Sequence, residues 1–136
     1  MKFVYETAAT AVGGRNGKVT TDDGTLDLEV RLPRSMGGTG TGYTNPEQLF
    51  AAGYAACFDN ALNYIARQER TAISSKVTAH VALVQGDGGF DLDVRLDVEI
   101  NGVETNEAER LLAMAHKACP YSRALGNKIE VKTNLI

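Results

Sequence analysis

The segment LFAAGYAACF, residues 49–58, constrains this chain more than any other, because it is apolar on every side of a helix. A helix that is hydrophobic all round is buried rather than laid on a surface. Its start is well marked. Asn45 suits the N-cap, Pro46 the first helical position, and Glu47 sets a carboxylate against the positive end of the helix dipole. The pattern runs to about Arg70, and Phe50, Tyr54, Cys57, Ala61 and Tyr64 recur along one side at helical spacing.

Strands surround this helix in sequence. Residues 3–12 (FVYETAATAV), 18–21 and 25–32 (TLDLEVRL) read as three strands, separated by GGRNG and DDG, whose glycines accept the positive φ of tight turns. Leu26, Leu28, Val30 and Leu32 alternate with Asp27, Glu29 and Arg31, so one face meets a core and the other meets water. Residues 76–84 (KVTAHVALV) and 90–100 (FDLDVRLDVEI) form the clearest hairpin, with Phe90, Leu92, Val94, Leu96, Val98 and Ile100 alternating after the turn GDGG. A second helix over 105–118 must end near Cys119, since the residue before Pro120 is disfavoured in the α region, and PYSRAL can begin a further turn. IEVKTNLI closes the chain as a strand. The expected fold is α+β, an antiparallel sheet in the order βββαββαβ wrapped around a central apolar helix. One sheet covers one side of that helix, so the other predicts an interface, most simply a homodimer.

At roughly 100–200 residues per domain, a length of 136 leaves room for a single domain spanning residues 1–136. Fourteen Lys and Arg against seventeen Asp and Glu give a net charge of −3, which provides no basic surface for nucleic acid. No apolar stretch approaches the length needed for export or for a membrane span, so a cytoplasmic, membrane-free protein is expected. Two cysteines 62 residues apart, without a CxxC and with only two histidines, cannot complete a structural zinc site. In a reducing compartment a disulfide between them would be transient and chemical.

Cys57 taken alone reads as a core thiol, and Cys119 as a helix-end cysteine near backbone N–H groups that favour a thiolate. Arg15 reads as a loop cation. The loop PRSMGGTGTGYTN lacks the signature of a phosphate loop and matches a flexible rim or lid better than a nucleotide site. His80 falls on an outward strand face and His116 near a helix C-terminus, and neither carries a catalytic reading.

The blocks GGRNGKVTTDDG, GGTGTGYTNPEQLFAAGYAACF and AHKACPYSRAL together closely resemble the organic hydroperoxide resistance proteins, within the larger family that includes the osmotically inducible proteins. The resemblance spans essentially the whole chain. It implies a thiol peroxidase acting on organic hydroperoxides, with Cys57 matching the peroxidatic cysteine and Cys119 the resolving one. Arg15 and Glu47 match the active-site arginine and glutamate. It further implies an intertwined homodimer with sites at the subunit interface, no bound cofactor, and re-reduction by a lipoyl-type dithiol, either dihydrolipoamide or a lipoylated protein. Asn127 stands where relatives often have glycine, a position that asparagine tolerates. Tyr43 replaces a usually small residue, which bears on lid shape and substrate preference.

The chemistry asks for these four residue types. A thiolate attacks one peroxide oxygen, leaving a sulfenic acid that a second thiol converts to a disulfide. With an unperturbed pKa near 8.5, roughly 3% of a thiol is ionised at neutral pH, so full ionisation gains only about 30-fold. A guanidinium can also meet the charge developing on the leaving oxygen. Glu47 would then orient Arg15 bidentately. On one straight helix Glu47 and Cys57 lie about 15 Å apart, so Arg15 spans part of the gap, the helix breaks near Gly53, or the groups come from different subunits. Two other functions suit a helix wrapped by a sheet: an acyl-thioester hydrolase with Glu47 as base, and a noncatalytic dimeric carrier. Both leave the cysteines without a necessary role.

Overall fold

The computed structural model describes residues 1–136, with elements in the order βββαββααβ. Two compact units divide the chain, Met1–Leu49 and Phe50–Ile136.

In the first unit β1 (Ala9–Val12), β2 (Gly17–Thr21) and β3 (Asp27–Val30) form an antiparallel meander. The expected strand over 3–12 is shortened to its last four residues. Its register ends with Ala9 opposite Thr21, where the partner strand turns away, so the residues before it have no strand to pair with. The turns follow the glycines: Gly13, Gly14 and Gly24 have φ of 83°, 56° and 74°. The glycine-rich loop after β3 has a structural reason for its composition. Gly37 and Gly42 lie at φ 88° and 90°, and a Cβ on Gly38 would sit 1.8 Å from the Leu32 carbonyl oxygen. Its end is held by Thr44, which exchanges backbone hydrogen bonds with Glu29 and Arg31, while the Arg31 guanidinium lies 5.0 Å from the centre of the Tyr43 ring.

The helix that opens at this loop is α1 (Pro46–Gln68), and its N-cap is as expected, with the Gln48 N–H donating to Asn45 Oδ1 at 2.8 Å. It runs through Gly53 without a break. Tyr54, Phe58, Ala61, Leu62 and Ile65 are buried, whereas Ala52, Ala56, Asn60 and Tyr64 are exposed. Burial is therefore one-sided within a single chain, and Tyr64 lies on the open side rather than with Cys57.

In the second unit β4 (Ser74–Gly86) and β5 (Gly89–Asn101) pair antiparallel along their whole length. After them come α2 (Thr105–Ala118), α3 (Pro120–Leu125) and β6 (Val131–Leu135). Two expectations are corrected here. The strands form two three-stranded sheets rather than one, and β6 runs parallel to β5, so the second sheet is mixed. Alternating hydrophobicity does not encode direction. The helical crossover α2–α3 returns the chain to the starting end of β5, which makes the next strand parallel. The core of this unit joins Tyr54, Phe58 and Leu62 of α1 to Val94, Leu96 and Val98 of β5, to Leu111 and Ala115 of α2, and to Cys119.

Candidate active site

The four expected residues fall in two pairs, Arg15 with Glu47 in the first unit and Cys57 with Cys119 in the second. In the first, GGRNG folds as a tight 3-10 turn over Gly14–Asn16, and its glycines are required at both ends. Gly13 is left-handed, and a Cβ on Gly17 would lie 1.8 Å from the Val12 carbonyl oxygen, a backbone atom that cannot yield. Arg31 braces the turn by donating from Nη1 to the Gly17 carbonyl at 2.9 Å.

Arg15 leaves this turn as a fork on Glu47. Nη1 donates to Oε2 at 2.8 Å and Nη2 to Oε1 at 2.6 Å, the bidentate geometry expected from the chemistry. The side chains are 33% and 16% exposed, so the pair is partly shielded from water. The Arg15 hydrogen bonds hold the Glu47 carboxyl below the usual carboxylate range, against the opposing effect of burial. Glu47 in turn raises Arg15. A carboxylate with both oxygens engaged and a lowered pKa is a poor proton acceptor, which argues against the hydrolase reading.

The second unit brings the cysteines together. Both are free thiols, and Cys119 Sγ lies 3.7 Å from Cys57 Sγ. Cys119 is fully buried at the corner between α2 and α3, its N–H bonded to the Ala115 carbonyl and its carbonyl accepting from the Arg123 N–H. Cys57 is half-buried on α1. Burial pushes the Cys57 thiol up, and the neighbouring Cys119 adds to the rise because two sulfurs this close resist two charges. The backbone N–H of Tyr121 opposes this by bonding the Cys57 sulfur.

An aromatic trio flanks this thiol. Phe50, Tyr54 and Tyr121 have ring centroids 5.7 to 6.4 Å apart. Gly53 makes room for it, since a Cβ there would meet the Tyr121 hydroxyl at 2.7 Å. His80 faces outward as expected and sits 2.9 Å from Asp97.

Sequence reasoning missed a buried polar chain beside the thiols. The Tyr54 hydroxyl lies 2.6 Å from Ser122 Oγ, which lies 3.0 Å from His116 Nδ1. One signal was available: a tyrosine among Phe50, Phe58 and Leu62 must bury a hydroxyl, and a buried hydroxyl needs a partner.

The model of the family described as OsmC-like protein matches residues 38–134, a span that holds Glu47, Cys57 and Cys119 and begins after Arg15. The organic hydroperoxide resistance protein OhrA of Bacillus subtilis is 46% identical over 131 residues, covering 94% of this chain and 93% of its own length. OhrB of the same organism is 42% identical over 134 residues, covering 97% and 98%. The crystal structure of an organic hydroperoxide resistance protein from Elizabethkingia anophelis superimposes with a TM-score of 0.94 at 48% identity, covering 99% of this chain and 98% of that one.

Proposed function

Because the chain belongs to the OsmC-like family, in its organic hydroperoxide resistance branch, we propose that it is a thiol peroxidase that reduces organic hydroperoxides to alcohols. A role in organic hydroperoxide resistance follows from these relatives. The observation that carries the finer reading is the pair of free sulfurs 3.7 Å apart, one half-buried and one fully buried. A substrate can approach the first, and only the first can approach the second.

In the proposed cycle the Cys57 thiolate attacks the distal peroxide oxygen, the O–O bond breaks, and the alkoxide leaves and is protonated to the alcohol. Cys57 becomes a sulfenic acid. The Cys119 thiol then attacks its sulfur, forming the Cys57–Cys119 disulfide and releasing water. The surroundings of Cys57 in its own unit favour the neutral thiol, so the reaction needs a cation. Arg15 supplies it, and Glu47 keeps that cation oriented. The aromatic trio supports an apolar substrate, since each buried methylene adds about 0.8 kcal/mol of binding.

A dithiol of the lipoyl type, free or protein-bound, restores the two thiols, and the working form is a homodimer. The exposed side of α1 and the unpaired apolar residues Phe3, Val4 and Tyr5 support a second copy as the partner.

Steady-state turnover of cumene hydroperoxide and of hydrogen peroxide, each with dihydrolipoamide, thioredoxin or glutathione, tests this reading. The organic peroxide with dihydrolipoamide should turn over fastest, by at least about tenfold in kcat/KM. Equal turnover with thioredoxin would contradict the donor, and a preference for hydrogen peroxide would contradict the substrate class.

A further inference from the structure

We propose that the hydrogen-bonded chain Tyr54–Ser122–His116 positions Cys119 for disulfide closure, an inference that rests on the redox pairing of Cys57 with Cys119 proposed above. Its layout around the two sulfurs is specific. His116 stands three residues before Cys119 in the last turn of α2, Ser122 three residues after it in α3, and Tyr54 three residues before Cys57 on α1. The Ser122 hydroxyl joins all three helices at one atom, 2.6 Å from the Tyr54 hydroxyl and 3.0 Å from His116 Nδ1. The corner that carries Cys119 is thus clipped to itself across the cysteine and stapled to the helix that carries Cys57.

Proton placement gives the chain a direction. Tyr54 is fully buried, and Ser122 is its hydrogen-bond partner, so the phenol satisfies its proton by donating to Ser122 Oγ. We assign the serine proton to His116 Nδ1, 3.0 Å away, which makes that nitrogen the acceptor and puts the ring N–H at Nε2. Each bond polarises the next, and the whole is stronger than its separate links. With the order reversed, the phenol proton would have no acceptor in a buried site.

Disulfide closure is where positioning matters. The sulfurs sit 3.7 Å apart in the dithiol and must approach to about 2.0 Å, with a narrow range of torsion about the new bond. A corner free to shift would lower the effective concentration of Cys119 at the Cys57 sulfur. Of the two cysteines, the attack on peroxide involves only Cys57, and it does not require this clip. Tyr54, Ser122 and His116 are therefore positioning residues rather than catalytic ones.

The decisive experiment leaves peroxide out. The full-length wild-type protein, Ser122→Ala, Ser122→Thr and Tyr54→Phe are each equilibrated with mixtures of reduced and oxidised dithiothreitol, and the Cys57–Cys119 disulfide is quantified. Ser122→Ala and Tyr54→Phe should shift the equilibrium about tenfold toward the dithiol, and Ser122→Thr should recover most of it by restoring the hydroxyl. A Ser122→Ala protein that loses thermal stability but keeps the wild-type equilibrium would overturn the proposal, because a merely structural serine behaves that way. Stopped-flow oxidation by cumene hydroperoxide adds the complementary reading: the Cys57 oxidation rate should stay within about twofold in Ser122→Ala, while closure slows about tenfold. If peroxide leaves wild-type Cys57 unoxidised, the peroxidase reading fails and the dithiothreitol equilibrium still decides the role of the clip. Should the variants not fold, the nitrogen-15 spectrum of wild-type His116 at mildly alkaline pH decides it. An Nε2–H tautomer is expected, and an Nδ1–H tautomer would reverse the donor order and overturn the proposal.

Discussion

The charge of Arg15 and the upward push on the Cys57 thiol are the two residue-scale features on which the proposed chemistry turns. Burial and a neighbouring sulfur raise the thiol, so in the proposed reaction a cation has both ionisation and leaving-group charge to stabilise. Arg15→Ala should therefore lose more rate than lost ionisation explains. Measured across pH, its second-order rate with an organic hydroperoxide should stay at least about tenfold below wild type even where Cys57 is fully ionised. Full recovery at high pH would reduce Arg15 to a pKa-lowering charge. Arg15→Lys should rescue only in part, because an ammonium cannot repeat the two-pronged contact with Glu47. Cys57→Ser should abolish reduction of peroxide, whereas Cys119→Ser should permit a single fast oxidation that stops at or beyond the sulfenic acid. Identical behaviour of these two variants would contradict their roles.

At the scale of elements, the turn that carries Arg15 depends on a contact no side chain can share. Gly17→Ala places a Cβ against the Val12 carbonyl, so it should distort the turn and lower both stability and the hydroperoxide rate. Gly24→Ala meets open space at φ 74° and should cost only about 1–2 kcal/mol of stability, with the rate unchanged. Urea unfolding alongside the rate measurement separates the two outcomes. Sequence alone revealed these glycines as turn residues, and it located the cap at Asn45, because both are local requirements. Partners distant along the chain were not readable in the same way. Phe90 keeps perfect alternation with Val94 and Val98, yet it is 69% exposed, since alternation tells which face a side chain takes and not how far the covering layer extends. The parallel pairing of β6 was hidden for a similar reason. The fork between Arg15 and Glu47 joins residues 32 apart, and only the resemblance to a known family pointed to it before the geometry did.

For the whole molecule, acid pH bears on stability through Glu47. Its carboxyl is held below its ordinary range by Arg15, so the ion pair contributes stability above that range and loses it as pH falls through the lowered value. Acid unfolding of Glu47→Gln should accordingly show a shallower pH dependence than wild type below the usual carboxylate range, and an unchanged slope would mean the pair adds nothing to the fold. Assembly concerns the open side of α1 and the N-terminal residues, where Phe3 is 85% and Tyr64 54% exposed. Removal of residues 1–8 should weaken the proposed dimer in sedimentation, and a wild-type chain that sediments as a monomer would contradict it.

The central claim is that one peroxide oxidises one pair of thiols within the chain. Reduced protein mixed with a single equivalent of cumene hydroperoxide, then examined by intact mass and peptide mapping, tests it most directly. The account predicts loss of two hydrogen atoms per chain, a cross-link joining the peptides of Cys57 and Cys119, and one equivalent of cumyl alcohol. Hydroperoxide left unconsumed, with both thiols still free, would contradict it.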